Sequence, residues 1–514
     1  MTQRYDIIVL GSGFAGSLIA MVARRLGHTV LIIERARHPR VVIGESSTPL
    51  SNLLLEELAD HYNFPEIRAF SKWGTWRSQH PEIRCGRKRG FTFLHHLPGN
   101  PSAEWAEKDL FLVAASPHDA VSDTHWYRAD FDHFLLDYAR QLGADYLEDT
   151  AIAQISEQND CIGLTAQQGA SIQKVEAAFV VDATGPNGCL HQQLRLGELP
   201  LPGHRPTQSL YSHFTGVTRL PLAHAAHPYP MEDAAVHHLF EEGWVWVLHF
   251  EHGVTSAGAV VTDEYAQHLR LHEGADAWVR LLSTLPLLKD QFSSARTTMP
   301  FRHIPRLAFR SGIIVGKRWA LLPSAAGFVD PMLSTGFPLA LLGIQRLGHL
   351  IEHSWSDQPA MEALANYAAI TQREFVAAAD LLAALNANRS NPAAFRAVSM
   401  LYFAAVSFSE AAHRLGKPHR AQSFLLVDDP LFGPTMQALL ERARHPLSIQ
   451  ATSAFAQDVL RCIAPFDVAG LTAHRGVPWY PVEAEDLRNS AWKLGATPGE
   501  VEHMMIRSGF FSQQ

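Results

Sequence analysis

Asp6-Ile7-Ile8-Val9-Leu10-Gly11-Ser12-Gly13-Phe14-Ala15-Gly16 opens a stretch that runs to Glu34, DIIVLGSGFAGSLIAMVARRLGHTVLIIE. The apolar run Ile7–Leu10 reads as a buried strand, the residues through Arg25 as a helix, and the run ending at Glu34 as a second strand. Gly11 permits the tight turn between them. Gly13 lets the backbone approach a pyrophosphate, and Gly16 lets the helix pack against the strand. The helix N-terminus, with its unpaired N–H groups, then faces the phosphates. Glu34 stands about 20 residues on, where a carboxylate accepts hydrogen bonds from a ribose. Strand, turn, helix, strand and acid in one register define a dinucleotide-binding unit. The expected class is α/β, with a Rossmann-like domain at the N-terminus.

The rest of the composition narrows the possibilities. A chain of 514 residues is longer than one ordinary domain, and 47% hydrophobic content supplies a large core. A net charge of −8 with mixed signs excludes a nucleic-acid footprint. Arg87-Lys88-Arg89 reads as a solvated loop. Cys85, Cys161, Cys189 and Cys462 are far apart, as in a reduced, cytoplasmic chain. No CxxC or HExxH occurs, and neither His95-His96 nor His237-His238 has the spacing of a helical metal pair, so no metal is expected. The longest apolar run, Val398–Phe408, is short for a membrane span and reads as a buried helix.

Along the chain, Gly44-Glu45-Ser46-Ser47-Thr48-Pro49 leads into a helix, with Ser47 or Thr48 as cap and Pro49 in its first turn. Its Gly-Glu-Ser turn equally suits a cofactor contact. Lys72 lies among aromatics in SKWGTWRS. His125–Leu142 reads as one amphipathic helix. Ser171–Val181 is a strand running into Asp182-Ala183-Thr184-Gly185, a turn at the carboxyl edge where open α/β sheets hold ligands. Val236–Phe240, Gly243–Glu251 and Thr255–Val261 alternate as an antiparallel sheet, with Trp244 and Trp246 on one face. Pro323–Pro331 is turn-rich. Met332-Leu333-Ser334-Thr335-Gly336 opens a helix whose first N–H groups suit an anion or a flavin carbonyl. From Pro359 onward the pattern is mostly helical.

GSGFAG, GESSTP, DATG and AAGFVDPMLSTG occur in an order that resembles the FAD-binding fold of aromatic hydroxylases and flavin-dependent halogenases. Within that group, GWVWVLHF is similar to the WxWxIP strand of the flavin-dependent halogenases, and SKWGTWRS to their lysine-bearing KxGxTF strand. The resemblance implies that reduced FAD, dioxygen and a halide near Ser334, Thr335 and Gly336 yield hypohalous acid, and that Lys72 captures or orients it. It implies FAD contacts from Gly11, Gly13, Phe14, Ala15, Gly16, Glu34, Arg35, Glu45, Ser46, Arg128, Asp182, Ala183, Gly185, Ser324, Asp330 and Gly336. Trp73, Trp244 and Trp246 would line the substrate tunnel. An FAD module over residues 1–350 would carry antiparallel substrate-domain segments at about 68–125 and 205–305, and residues 351–514 would form a helical cover.

Three departures from the family pattern bear on chemistry. Val247-Leu248-His249 replaces the Ile-Pro ending, Ser324 stands where an aspartate is usual, and Leu333 stands where tryptophan halogenases carry a glutamate. The last implies an electron-rich phenol- or pyrrole-type substrate, free or bound to a carrier protein. A single GxGxxG fingerprint implies a separate NAD(P)H flavin reductase. A monooxygenase or dehydrogenase without halide chemistry, and a flavin-binding protein without activity, remain as alternatives.

Overall fold

The computed structural model describes residues 3–96, 110–220, 226–356, 359–473 and 477–511. Its first layer is a sheet built on Gln3–Leu10, which pairs in parallel with Val30–Ile33 and with Ser171–Asp182. Asp145–Leu147 and Trp319–Leu321 extend it in parallel on either side. Ile7, Ile8, Val9 and Leu10 are all buried, as an apolar strand covered on both faces requires. Ser171–Asp182 joins an antiparallel and a parallel part of this one eight-stranded sheet. Its polar first half is exposed and pairs antiparallel with Ile162–Gln168, and its apolar second half enters the parallel core.

The second layer is a nine-stranded sheet. Its centre is the expected antiparallel set, Thr207–Thr215, Ala235–Phe240, Gly243–His249 and Val254–Thr262. Two joints are parallel: Gly90–His95 with Ala235–Phe240, and Leu110–Ala114 with Trp479–Tyr480. The C-terminal region therefore adds a strand to this sheet. Residues 97–109, inside the segment expected near 68–125, lie outside the described residues.

Local structure overturns three readings. Arg87-Lys88-Arg89 is not a solvated loop. Cys85–Lys88 pairs antiparallel with Asp123–Trp126, and Lys88 and Arg89 are buried. Arg87 pairs with Asp119 and Asp233, and Arg89 with Asp119, so ion pairs compensate a burial that periodicity cannot reveal. SKWGTWRS is not a strand. Trp73–Gln79 is a helix with Lys72 as its cap residue, and its apolar side rests on Trp76, packed against Phe70 and Phe131. His125–Leu142 is not one helix, because Asp123–Trp126 is a strand and the helix is Arg128–Gln141.

Helices dominate after residue 360. Val398–Phe408 forms the middle of Pro392–Arg414, a 23-residue helix capped by Asn391 with proline in its first turn. It is long and apolar enough to cross a membrane by length and composition, yet 72% of its most apolar window is buried inside the protein.

Candidate functional site: two cavities and the wall between them

At the carboxyl ends of the parallel strands lies a cavity of about 410 Å³. Of the expected cofactor residues, Gly13, Phe14, Ala15, Glu45, Ser46 and Arg128 border its near end. Ala183, Gly185, Ser324, Asp330 and Gly336 border the rest, with Ser334 and Thr335. Trp244 and Trp246 wall the same cavity, so the two tryptophans face the flavin-type space. Trp244 Nε1 lies 3.4 Å from Asp330 Oδ2, and Trp246 Nε1 donates to Ser256 Oγ at 3.2 Å. His249, at the departure from Ile-Pro, bonds Thr255 and lies 3.3 Å from Glu232, away from this cavity.

Five expected contacts do not border the cavity. Gly11 has φ +90°, and a Cβ there would stand 2.8 Å from the Ala183 carbonyl oxygen. A Cβ on Gly16 would lie 1.9 Å from the Gly11 carbonyl oxygen. Both glycines shape the turn without touching the space beyond it. Asp182 accepts from Thr184 N–H (2.9 Å), Thr184 Oγ1 (2.6 Å) and Leu190 N–H (2.6 Å), so it anchors the turn from behind. Glu34 accepts from the Ser12 N–H, the Ala36 N–H and Arg40 Nη2, each at 2.9 Å. Burial pushes the Glu34 pKa up, but Arg40 and these hydrogen bonds outweigh it and hold the group below its usual value. Arg35 is exposed, and Arg40 takes the position beside the cavity. Nothing in the polar run 35–40 singles out Arg40 in the sequence.

The donor set fits a dinucleotide. Helix Phe14–Arg25 begins at Gly13 with no side-chain cap, leaving its first N–H groups for a ligand. Arg40 and Arg128 bring two guanidinium groups to that end. Ser46 Oγ is buried there without a hydrogen-bond partner. At the far end, Leu333 (φ 61°) and Ser334 (φ 55°) are left-handed although neither is glycine. Such residues cost about 1–3 kcal/mol each and concentrate at functional sites. Tyr402 Oη donates to the Leu333 carbonyl at 2.9 Å, and Asp330 Oδ1 accepts from Met332 N–H at 2.9 Å. This bend delivers helix Gly336–His353 to the cavity, again without a side-chain cap.

A second cavity of about 170 Å³ lies on the other side of residues 46–48. Phe91, Asp123, Tyr402, Phe403 and Met504 border it, and so does Lys72. Lys72 Nζ donates to the Ser508 carbonyl at 2.9 Å, and burial pushes its pKa down. Trp73 borders neither cavity. Its indole N–H is bonded to Glu251, and Arg87 stacks over its ring at 5.4 Å.

Lys88 is fully buried behind Ser47 and itself borders neither cavity. Its Nζ donates to the Ser47 carbonyl and stands 3.9 Å from the centre of the Phe91 ring. Ser46 borders the first cavity and Thr48 the second. On the paired strand, Asp123 stands in register with Lys88. Burial pushes the Lys88 pKa down and the Asp123 pKa up, and each is partly restored by the other's charge. On the first cavity's side, His237 stacks on Phe91 and Trp244. Sequence reasoning passed over Lys88, although Lys88-Arg89-Gly90-Phe91-Thr92-Phe93 matches KxGxTF letter by letter. SKWGTWRS matches it only in part.

Comparison with known proteins meets this geometry. A model of the family described as tryptophan halogenase matches residues 116–397, more than half of the chain. The chain belongs to the tryptophan halogenase family. Within this halogenase family, it is 28% identical over 353 residues to monodechloroaminopyrrolnitrin halogenase PrnC of Pseudomonas fluorescens, covering 67% of this chain and 61% of that protein. It thus spans about three fifths of that relative's length. It is 26% identical over 346 residues to a 1H-pyrrole-2-carbonyl-[peptidyl-carrier protein] chlorinase of P. fluorescens strain Pf-5, covering 66% of this chain and 73% of that one. The crystal structure of halogenase PltM with phloroglucinol and FAD shares the fold, with a TM-score of 0.79 at 24% identity, over 93% of this chain and 99% of that one.

One histidine pair does have helical metal spacing. His349, Glu352 and His353 bring ligand atoms within 4.8 Å of one another on the exposed face of Gly336–His353. The cluster sits more than three turns from Gly336, about 20 Å along the axis. Glu352 is already bonded there to His61 at 2.9 Å.

Proposed function

We propose that this chain is an FAD-dependent halogenase of an electron-rich arene, and that Lys88 rather than Lys72 passes the halogen to the substrate. The observation that carries this reading is the position of Lys88, buried against the Ser47 carbonyl, with Ser46 on the larger cavity and Thr48 on the smaller one. FAD, when bound in reduced form with dioxygen and halide, supplies hypohalous acid. The uncapped helix at Gly13, with Arg40 and Arg128, holds its diphosphate. The N–H groups around Ser334, Thr335 and Gly336 hold the halide.

Lys88 then acts from behind Ser47. Its ammonium donates a hydrogen bond to hypohalous acid so that the ring takes the halogen and water leaves, or its neutral amine, made accessible by burial, forms a haloamine with loss of water and passes the halogen to the ring, regaining a proton as the ring gives one up. Phe91 covers one side of the amine and keeps bulk water from it. Leu333, apolar where tryptophan halogenases carry a glutamate, supports a ring that is activated by its own hydroxyl or N–H. A free phenol and a carrier-bound pyrrole both meet that requirement. Reducing equivalents come from a separate NAD(P)H flavin reductase.

Incubation with reduced FAD, dioxygen and bromide, in the presence of resorcinol and separately of a halogen-electrophile trap, tests the reading. Lys88→Ala loses ring bromination while still oxidising the flavin. Lys72→Ala keeps bromination. Flavin oxidation without any trapped electrophile in the native protein would refute halogenase activity. Full bromination by Lys88→Ala would refute the role of Lys88.

A further inference from the structure

Asp123 borders the second cavity and forms no salt bridge among the described residues, although Lys88 stands opposite it in strand register. The other charged groups bordering that cavity, Lys72, Glu410, Arg414 and Glu483, each have partners of their own. Arg414 donates to Glu410 at 2.8 Å and to Glu56 at 3.2 Å, and Lys72 is bonded to the Ser508 carbonyl. Asp123 is 3% exposed. Its Oδ1 accepts from Asn52 Nδ2 at 2.8 Å, which fixes the carboxyl plane, while its Oδ2 has no hydrogen-bond partner among the described residues. A buried carboxylate oxygen left without a donor is costly, and such groups in native proteins call for a ligand. Phe91, Tyr402 and Phe403 give the same cavity aromatic surface, among polar residues such as Ser71 and Ser407. A volume of about 170 Å³ is close to that of a cavity which holds one benzene ring, about 150 Å³.

We propose that Asp123 is the specificity-determining residue of the substrate cavity, accepting a hydrogen bond from the hydroxyl of a small phenol. This rests on the halogenase reading, and adds to it the group that selects the ring. Strand register sets Asp123 opposite Lys88. A hydroxyl anchored on Asp123 therefore holds its activated ring against Phe91, behind which Lys88 Nζ lies 3.9 Å from the centre of the Phe91 ring. An arene of similar size without an O–H, such as 1,3-difluorobenzene, offers no donor and leaves the carboxylate unpaired, as a site built to pair a substrate O–H discriminates.

The test is equilibrium binding of resorcinol and of 1,3-difluorobenzene to the FAD-loaded protein, measured calorimetrically. Native protein binds resorcinol tighter by roughly tenfold to a hundredfold, the range expected for a buried hydrogen bond to a charged acceptor. Asp123→Asn brings the ratio to within about threefold, and Asp123→Glu restores part of it. A native ratio near one overturns the proposal without any variant, and so does an Asp123→Asn protein that keeps the native ratio. Both readouts are independent of turnover, so absence of halogenation would count against the proposed function and leave this assignment to be judged on binding alone.

Discussion

Lys88 and Asp123, buried in register on paired strands and felt by each other through charge, make a prediction whose size follows from their environment. Lys88→Met removes the cation but leaves the carboxyl in place, enclosed among Phe91, Tyr402 and the strand partners. Breaking a buried pair on one side typically costs about 3–5 kcal/mol. Asp123 has a way to limit that cost, because it can take up a proton. Relative to an exposed aspartate of pKa about 3.9, holding a carboxyl neutral at pH 7 costs about 1.36 kcal/mol for each of roughly 3 units, or about 4 kcal/mol. The sign follows from burial. With its folded pKa raised, Asp123 binds a proton that the unfolded chain has released, so stability falls as pH rises between the unfolded and folded values. In the Lys88→Met background, adding Asp123→Asn should therefore stabilise the protein. The gain should grow by up to about 1.4 kcal/mol per pH unit between pH 6 and 8. Urea unfolding of the single and double variants at pH 6, 7 and 8 measures it, since the other titrating groups are common to both. A gain that does not change with pH, or a double variant no more stable than the single one, would refute the coupling of these two charges.

Other expectations are simpler. Gly16→Ala would force a Cβ to within 1.9 Å of the Gly11 carbonyl oxygen, so it should lower the melting temperature and abolish FAD uptake, read from flavin absorbance after gel filtration. Ser334→Gly relieves a left-handed residue and should stabilise the protein by about 1 kcal/mol in urea, while slowing halogenation if that bend places the helix start. Tyr402→Phe leaves the Leu333 carbonyl without its donor and should cost about 1–3 kcal/mol. His95 and His237 are held neutral by burial, their pKa values pushed down to about 3. The unfolded chain protonates these sites below about pH 6.5, so stability is lost as pH falls from there toward 3, by about 2 kcal/mol per histidine at pH 5. His237→Gln should remove one such share from the difference between pH 7.5 and pH 5 in urea unfolding.

Asp6–Glu34 was legible because its information is local. Apolar period, the turn glycines and their spacing all follow from contacts between residues near in sequence, and Gly11 and Gly16 do what that spacing requires. DATG and the Asp330–Gly336 helix start were legible for the same reason, and eleven of the sixteen expected cofactor positions border the first cavity. Asp182 and Glu34 occupy motif positions yet bond to the turn itself. A motif marks a place in the fold, and only side-chain partners decide whether the group faces a ligand or holds up the turn behind it.

The basic run was of another kind. Arg87-Lys88-Arg89 looks like solvated charge because nothing within a few residues indicates burial. Asp119, Asp233 and Asp123, which make that burial tolerable, are 30 or more residues away along the chain. Lys72 and Lys88 each sit near glycine and aromatics in the sequence. Tertiary structure separates them, since one begins a short helix against Ser508 and the other is buried against the Ser47 carbonyl. The sequence by itself determined a dinucleotide-binding α/β fold, because local backbone requirements suffice for it. Which lysine and which acid face each other on paired strands was decided by the folded chain, because a buried charge depends on partners that only long-range strand pairing brings together.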